Sequence, residues 1–190
     1  YDQIRGDGDD RAEASMTEDN WRYVEAGLCM RPAKPILDGE PSYEGIPQGL
    51  HDPEEPWWKA SDVRRYAYWS VFAGACGHTY GHGSIMQMHP GGKVGAYGVR
   101  KSWLEGLQDD GFKQMQYLKR LVLTFPYFER VGDQSVIAGE NGFRYDRAIA
   151  TRGNDYLLVY THTNRPVRID LGRISGDKKN VWWYSPTDGS

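Results

Sequence analysis

Pro35-Ile36-Leu37-Asp38-Gly39-Glu40 is a short apolar run that stops at a carboxylate. Its length suits a buried parallel strand. Further on, Gly77-His78-Thr79-Tyr80-Gly81-His82 reads as a second short strand, again ending in polar residues. Helical patterns surround both. Before the first strand, Ser15 or Thr17 is placed to cap a helix over about Glu18 to Met30, which Pro32 and Pro35 end. Between the strands, Ser61 to Ala75 is a helix with Val63, Tyr66, Ala67, Ser70 and Gly74 on one face and Arg64 and Arg65 off it. A Gly-rich loop from Pro90 to Gly98 and two helical stretches, about Ser102 to Gln108 and Gly111 to Leu123, follow. Helix, strand, helix, strand, helix is the rhythm of (β/α) units. In a (β/α)8 barrel the catalytic groups stand at the C-terminal ends of strands, where Glu40 and the His78–His82 segment fall. Two units cannot close a barrel, so about six more are expected before Tyr1.

After Phe125-Pro126-Tyr127 the pattern changes. Arg144 to Ala150, Asp155 to Tyr160, Pro166 to Leu171 and Asn180 to Tyr184 are β-rich runs separated by turn sequences such as Arg152-Gly153-Asn154 and Ser175-Gly176-Asp177. Such spacing predicts an antiparallel sandwich. The fold expected is α/β then all-β: the C-terminal part of a (β/α)8 barrel over residues 1–125, then part of a β-sandwich over 126–190. The Tyr184–Gly189 turn normally leads into another strand, so the rest of the polypeptide is expected to be missing at both ends.

Composition narrows the function classes. With 190 residues, 39% hydrophobic, 26% charged and a net charge of −3, the chain has no stretch approaching the roughly 18 apolar residues of a membrane helix. A nucleic-acid binder would show a basic excess, which is absent. The 7 Trp and 13 Tyr against 5 Phe favour side chains with a flat apolar face and a polar tip, which suit cores and also stack on sugar rings. Cys29 and Cys76 are too few for a disulfide framework, and their small neighbours suggest packed thiols.

Glu40 lies between Gly39 and Pro41, with Tyr43 and Glu44 close by. A carboxylate held at a strand end suits glycosidic chemistry, in which one carboxylate attacks and another protonates the leaving oxygen. The simpler alternative is that Glu40 and Glu44 cap a turn or pair with Arg64 or Arg65. Between the two, Glu40 is the expected nucleophile: it ends the strand, whereas Glu44 lies in the loop beyond Pro41 and Ser42. His78 and His82 face one side of a strand and are read as hydrogen-bonding to ligand or to Glu40, with Tyr80 beside them. No metal site is expected, because the Glu of the zinc-protease helix motif is missing. Trp57 and Trp58 follow the first strand and offer a sugar platform or, equally, packing at the rim. Trp182 and Trp183 alternate along an expected strand, one inward and one outward. The acidic loop Gly6 to Glu13 lacks the Asp spacing of a calcium loop and reads as solvated.

Two long stretches carry a resemblance. Lys34-Pro-Ile-Leu-Asp-Gly-Glu-Pro-Ser-Tyr-Glu44 and Asp62-Val-Arg-Arg-Tyr-Ala-Tyr-Trp-Ser-Val-Phe-Ala-Gly-Ala-Cys-Gly-His-Thr-Tyr-Gly81 resemble the apiosidase-like glycoside hydrolases, bacterial enzymes with a TIM-barrel catalytic domain. Pro126-Tyr-Phe-Glu-Arg130, Tyr145-Asp-Arg147, Ala150-Thr-Arg-Gly153 and Trp183-Tyr-Ser-Pro186 are similar to the β-domain that follows that barrel, whose family label is "putative collagen-binding". The resemblance implies that Tyr1-Asp-Gln3 ends barrel strand six, Ile36 to Asp38 is strand seven and Gly77 to Tyr80 strand eight. It implies a retaining glycosidase with Glu40 as nucleophile and the general acid upstream of Tyr1, so that the fragment alone is inactive. No cofactor is implied. The implied partner is a carbohydrate, such as apiose-bearing side chains of pectin, and the implied location is periplasmic, cell-surface or secreted. The alternative is a non-catalytic module that binds carbohydrate or a protein such as collagen.

Overall fold

The computed structural model describes residues 19–163 and 165–190. The acidic loop 6–13, the caps Ser15 and Thr17, and the Tyr1–Gln3 segment lie outside them. Helix α1 (Asn20–Cys29) precedes strand β1 (Leu37–Asp38), which pairs in parallel with β3 (Gly77–His78) in the register Leu37↔Gly77 and Asp38↔His78. A second parallel pair joins β2 (Tyr43–Glu44) to β4 (Gly81–His82), with Tyr43 opposite Gly81 and Glu44 opposite His82. Residues 41–53 are therefore more than the loop their prolines and glycines suggest. The Gly77–His82 run is likewise two strands with a break at Thr79-Tyr80. A two-residue strand such as β2, with no apolar run around it, leaves nothing to read in the sequence, and only its pairing with β4 makes it visible.

Helix α2 (Ala60–Ala73) lies at the centre. Its sequence shows one apolar face, yet Val63, Arg65, Tyr66, Ala67, Tyr68, Trp69, Ser70, Val71, Phe72 and Ala73 are all buried. The reason is that the helix is covered from several sides: α1, α5 (Asp110–Thr124) and the β-sheet all pack on it. Arg65, expected off the apolar face, is corrected to a buried cation. It reaches Asp62 at 3.1 Å and lies 4.4 Å from the Tyr145 ring centroid. An ion pair and a ring face together offset the cost of removing that guanidinium from water. On the α1 side, Asn20 Nδ2 donates to Asp38 Oδ2 at 2.9 Å, to the Tyr66 carbonyl at 3.0 Å and to Ser70 Oγ at 2.5 Å, while Ser70 donates to Asp38. This network ties β1 to both helices. Helix α3 (Gly83–Met86) follows β4, and α4 (Trp103–Gly106) is closed by a capping box between Ser102 and Glu105.

The remaining strands are antiparallel: β5 (Val131–Gly132), β6 (Ile149–Arg152) and β7 (Leu157–Tyr160), in that order. Central β6 buries both faces. Ile149 joins the cluster around α2, while Ala148 and Ala150 pack with Val136 and Ile137. Tyr160 stacks on Tyr68 with ring centroids 4.6 Å apart, a contact that contributes about 0.5–1.5 kcal/mol beyond burial. Gln134 lengthens the sheet with its amide, accepting from the Ala150 N–H at 2.8 Å and donating to its carbonyl at 3.0 Å.

Several expectations are corrected here. Arg144–Asp146 is a 3-10 turn, Pro166–Leu171 makes a single bridge between Ile169 and Ile137, and Asn180–Tyr184 forms no strand. Among the described residues this unit is a three-stranded sheet with irregular flanks. Trp182 and Trp183 are both exposed, at 77% and 92%, because no sheet alternates them. Cys29 and Cys76 are free and exposed rather than packed.

Candidate functional site

The residues after β1 and β3 line one cleft of about 360 Å³: Gly39, Glu40, Ser42, Tyr43, Thr79, Tyr80, Gly81 and His82, with Ile85, Met86 and Phe112. Parallel pairing brings the C-terminal ends of both strands to the same edge, and this assembles the cleft. Glu40, Tyr43, Tyr80 and His82 meet there. His78, Trp57 and Trp58 do not line it, and Glu44 reaches it only through its bond from Tyr80.

Glu40 is exposed and lies two residues beyond β1, not at its end. The expectation that strand rigidity holds it is thus corrected. Its support is Tyr43, whose hydroxyl donates to Glu40 Oε1 at 2.7 Å. That hydrogen bond, followed by burial and the charge of Glu40, pushes the Tyr43 phenol up to about 12, so it remains a donor at neutral pH. The Tyr43 ring is set in turn by Gly81, its register partner. A Cβ at Gly81 would come 2.5 Å from Tyr43 Cδ1.

Glu44, read as a loop residue, is the strand residue of the two and is 6% exposed. Its Oε2 accepts from the Tyr80 hydroxyl at 2.5 Å and its Oε1 from the Gly111 N–H at 3.3 Å. Burial first, and the bond to Glu44 second, push the Tyr80 phenol up. Neither Glu40 nor Glu44 pairs with Arg64 or Arg65. Arg64 instead donates to Gln114 on α5.

His82 is 2% exposed and fully engaged. Its Nδ1 accepts from the Ser84 N–H at 3.1 Å, so Nε2 carries the proton and donates to Asp109 Oδ2 at 3.0 Å. Lys101 adds bonds of 2.6 and 2.8 Å to the same carboxylate. Burial works against the charged form of Asp109, but the bonds from Lys101 and His82 prevail and hold its carboxyl below the usual range. His82 therefore pins the segment between α4 and α5 rather than offering a free nitrogen to the cleft. Asp109, Lys101 and Phe112 were not legible as site residues in the sequence. They lie in the 101–112 stretch, and only the tertiary fold returns it to β4.

His78 sits beside Asp38 by register. Burial drives its imidazole down to about 4, the Asp38 carboxylate pulling the other way. The ring is neutral in the folded protein at pH 6, whereas the unfolded chain binds a proton near 6.5. Stability conferred by the neutral ring is complete above about pH 6.5 and is lost as pH falls towards 4. His162, also lowered by burial, acts in the same direction. We expect urea unfolding between pH 6.5 and 4.5 to weaken by up to about 1.4 kcal/mol per pH unit from His78. The His78→Gln variant should show a shallower slope, and an unchanged slope would refute the assignment.

Trp58 is corrected from a candidate platform to a core residue. It is 6% exposed and meets Tyr66 edge-on at 5.4 Å. Trp57 donates from Nε1 to the Pro53 carbonyl at 3.2 Å and lies over Gly98, away from the cleft. Among the described residues no group of three or more His, Cys, Asp or Glu gathers at metal-binding distance, and no helix is long and apolar enough to cross a membrane.

Two family models match successive parts of the chain. Residues 131–190 match the family model described as "Putative collagen-binding domain of a collagenase". Among solved structures, a glycoside hydrolase family 5 protein from Bacteroides vulgatus superposes with a TM-score of 0.88 at 64% identity, over 90% of this chain and 38% of that one. A second, titled a glycoside hydrolase, gives a TM-score of 0.91 at 62% identity, over 100% of this chain and 43% of that one. The chain thus spans about two fifths of the length of these relatives. No curated protein matches it. Residues 6–129 match the model "Apiosidase-like, catalytic domain", and with that match over most of its length the chain belongs to the apiosidase-like catalytic-domain family.

Proposed function

We propose that this chain supplies the last strands of a (β/α)8 barrel in a retaining glycosidase, with Glu40 as its nucleophile. The observation that carries the reading is the state of the two carboxylates. Glu40 is exposed in the cleft with only Oε1 engaged, by Tyr43. Glu44 is buried with both oxygens taken by protein donors. An attacking carboxylate needs one oxygen free to bond the anomeric carbon, and a donor on the other to fix its orientation. In this reading Glu40 attacks and forms a glycosyl ester. A second carboxyl group, from residues outside this chain, protonates the leaving oxygen and then activates water. The two carboxyl groups of such enzymes stand about 5–5.5 Å apart.

In this reading the substrate is an apiose linkage of a pectic side chain, a choice supported by the apiosidase-like family match, with the cleft holding a small sugar. The β-sheet unit serves as the first part of a sandwich domain. A polymeric substrate of this kind places the enzyme outside the cytoplasm. The test is hydrolysis by the full-length protein of a panel of pectic oligosaccharides, with and without apiose. Release of apiose supports the reading in full. Release of another sugar retains the glycosidase and overturns the substrate. Binding without any cleavage favours a non-catalytic module.

A further inference from the structure

We infer that Phe112 is a sugar-stacking platform of the cleft, an assignment that rests on the carbohydrate reading above. Three observations carry it. The first is placement: Phe112 lines the same cleft as Glu40 yet keeps 43% of its surface exposed. Its neighbours on α5 are committed elsewhere, with Gly111 buried against Glu44 and Gln114 held by Arg64. The second is the chemistry of the lining. The side contributed by strands and their loops carries Glu40, Tyr43 and Tyr80, whereas the helical side carries Ile85, Met86 and Phe112, without a polar side-chain group. A sugar ring has the same duality, with hydroxyls at its edge and C–H groups on a face. A phenyl ring has no polar tip, so what it offers is a flat apolar face. The cleft of about 360 Å³ is at the small end of ligand pockets, which matches one ring rather than an extended chain.

The third observation is how firmly the platform is set. A Cβ at Gly111 would stand 2.2 Å from Glu44 Oε2 and 2.8 Å from Val63 Cγ2, so only glycine lets the first turn of α5 come this close. Asp109, two residues earlier, is tied to His82 and Lys101. The Tyr80 ring lies 6.0 Å from that of Phe112 at a 60° tilt, and Tyr80 is itself held by Glu44. Glu44 thus acts as a positioning residue. It holds the phenol and the helix turn that flank the platform, with both carboxylate oxygens engaged by protein donors. An aromatic face placed by such a frame before ligand arrives avoids the ordering cost that weakens a flexible contact.

The experiment uses the full-length protein in a Glu40→Gln background, titrated calorimetrically with the pectic oligosaccharide panel. Kinetics of the otherwise unaltered enzyme run beside it. Phe112→Ala should weaken binding roughly tenfold, the scale of losing an aromatic anchor. Phe112→Tyr, which retains the face, should bind within about twofold of the parent. Phe112→Leu, apolar but not flat, should resemble the alanine variant. Far-ultraviolet circular dichroism and thermal midpoints should match throughout, since the side chain is half exposed. If leucine binds as well as tyrosine, or alanine as well as phenylalanine, the platform is refuted while the hydrolase reading stands. If the enzyme cleaves nothing but binding retains this Phe112 dependence, the hydrolase reading fails and the platform stands. If no member of the panel binds, both fall.

Discussion

In the full-length enzyme, Glu40→Gln should lower kcat by several orders of magnitude, on the order of 10⁶-fold where loss of a covalent nucleophile has been measured, while ligand affinity changes little. The amide keeps the size of the carboxylate and still accepts from Tyr43, so the cleft survives. What disappears is the anionic oxygen that attacks. Glu44→Gln should behave differently. Its amide oxygen can keep the Gly111 N–H while its NH₂ donates to the Tyr80 hydroxyl oxygen, and the Tyr80 O–H proton then loses its acceptor. A donor left unpaired there costs about 1–3 kcal/mol of stability, with a much smaller effect on kcat. A mechanism-based glycosyl label should be found on the peptide containing Glu40. Labelling of Glu44, or an active Glu40→Gln enzyme, would overturn the assignment.

Gly132→Ala should be among the most destabilising single changes in this chain. Gly132 is in β5, where the sheet meets the end of α2. A Cβ there would lie 2.1 Å from the Ala73 carbonyl oxygen, 2.4 Å from its carbon and 2.9 Å from the Gly74 nitrogen. These are backbone atoms of a helix end, and no side-chain rotation can relieve them. The joint is further bound by Arg130, whose guanidinium donates to the Val71 and Ala75 carbonyls and, at 3.3 Å, to Thr151 Oγ1. Overpacking typically costs about 1–3 kcal/mol. For a chain of this length each kcal/mol shifts Tm by about 2–4 °C, so a fall of roughly 6–12 °C is expected at the upper end. Gly39→Ala provides the control. Nothing stands within 4 Å of its added Cβ, and its Tm should change by no more than about 2 °C. Equal midpoints for the two variants would show that the sheet does not press on α2 as described.

The sequence alone determined the things that depend on local pattern or long motifs. Helix α2 announces itself by apolar spacing and α1 by its capping residues and terminating prolines, and the observed ends of both, like those of α5, fall within a few residues of those expected. The change of character near residue 125 is visible because runs of period 3.6 give way to short β-rich runs. Glu40 and its neighbours were legible because a carboxylate between Gly39 and Pro41, after an apolar run, is an unusual arrangement, and because the surrounding motif is long. The tertiary structure decided the rest. The two-residue β2 was hidden and β4 was merged with β3 into one expected strand, and with them went the inversion of environment between Glu40 and Glu44. Arg65 was placed off the apolar face by helical spacing, but burial on a helix covered from several directions is set by what packs around it. Trp58, which the sequence offered equally as platform or packing, fills the core, and Phe112, which no sequence pattern singled out, faces the cleft. No local rule separates two aromatic residues by exposure. That difference comes from which segments of chain the fold returns to the ends of β1 and β3, and contacts between distant residues are what settle it.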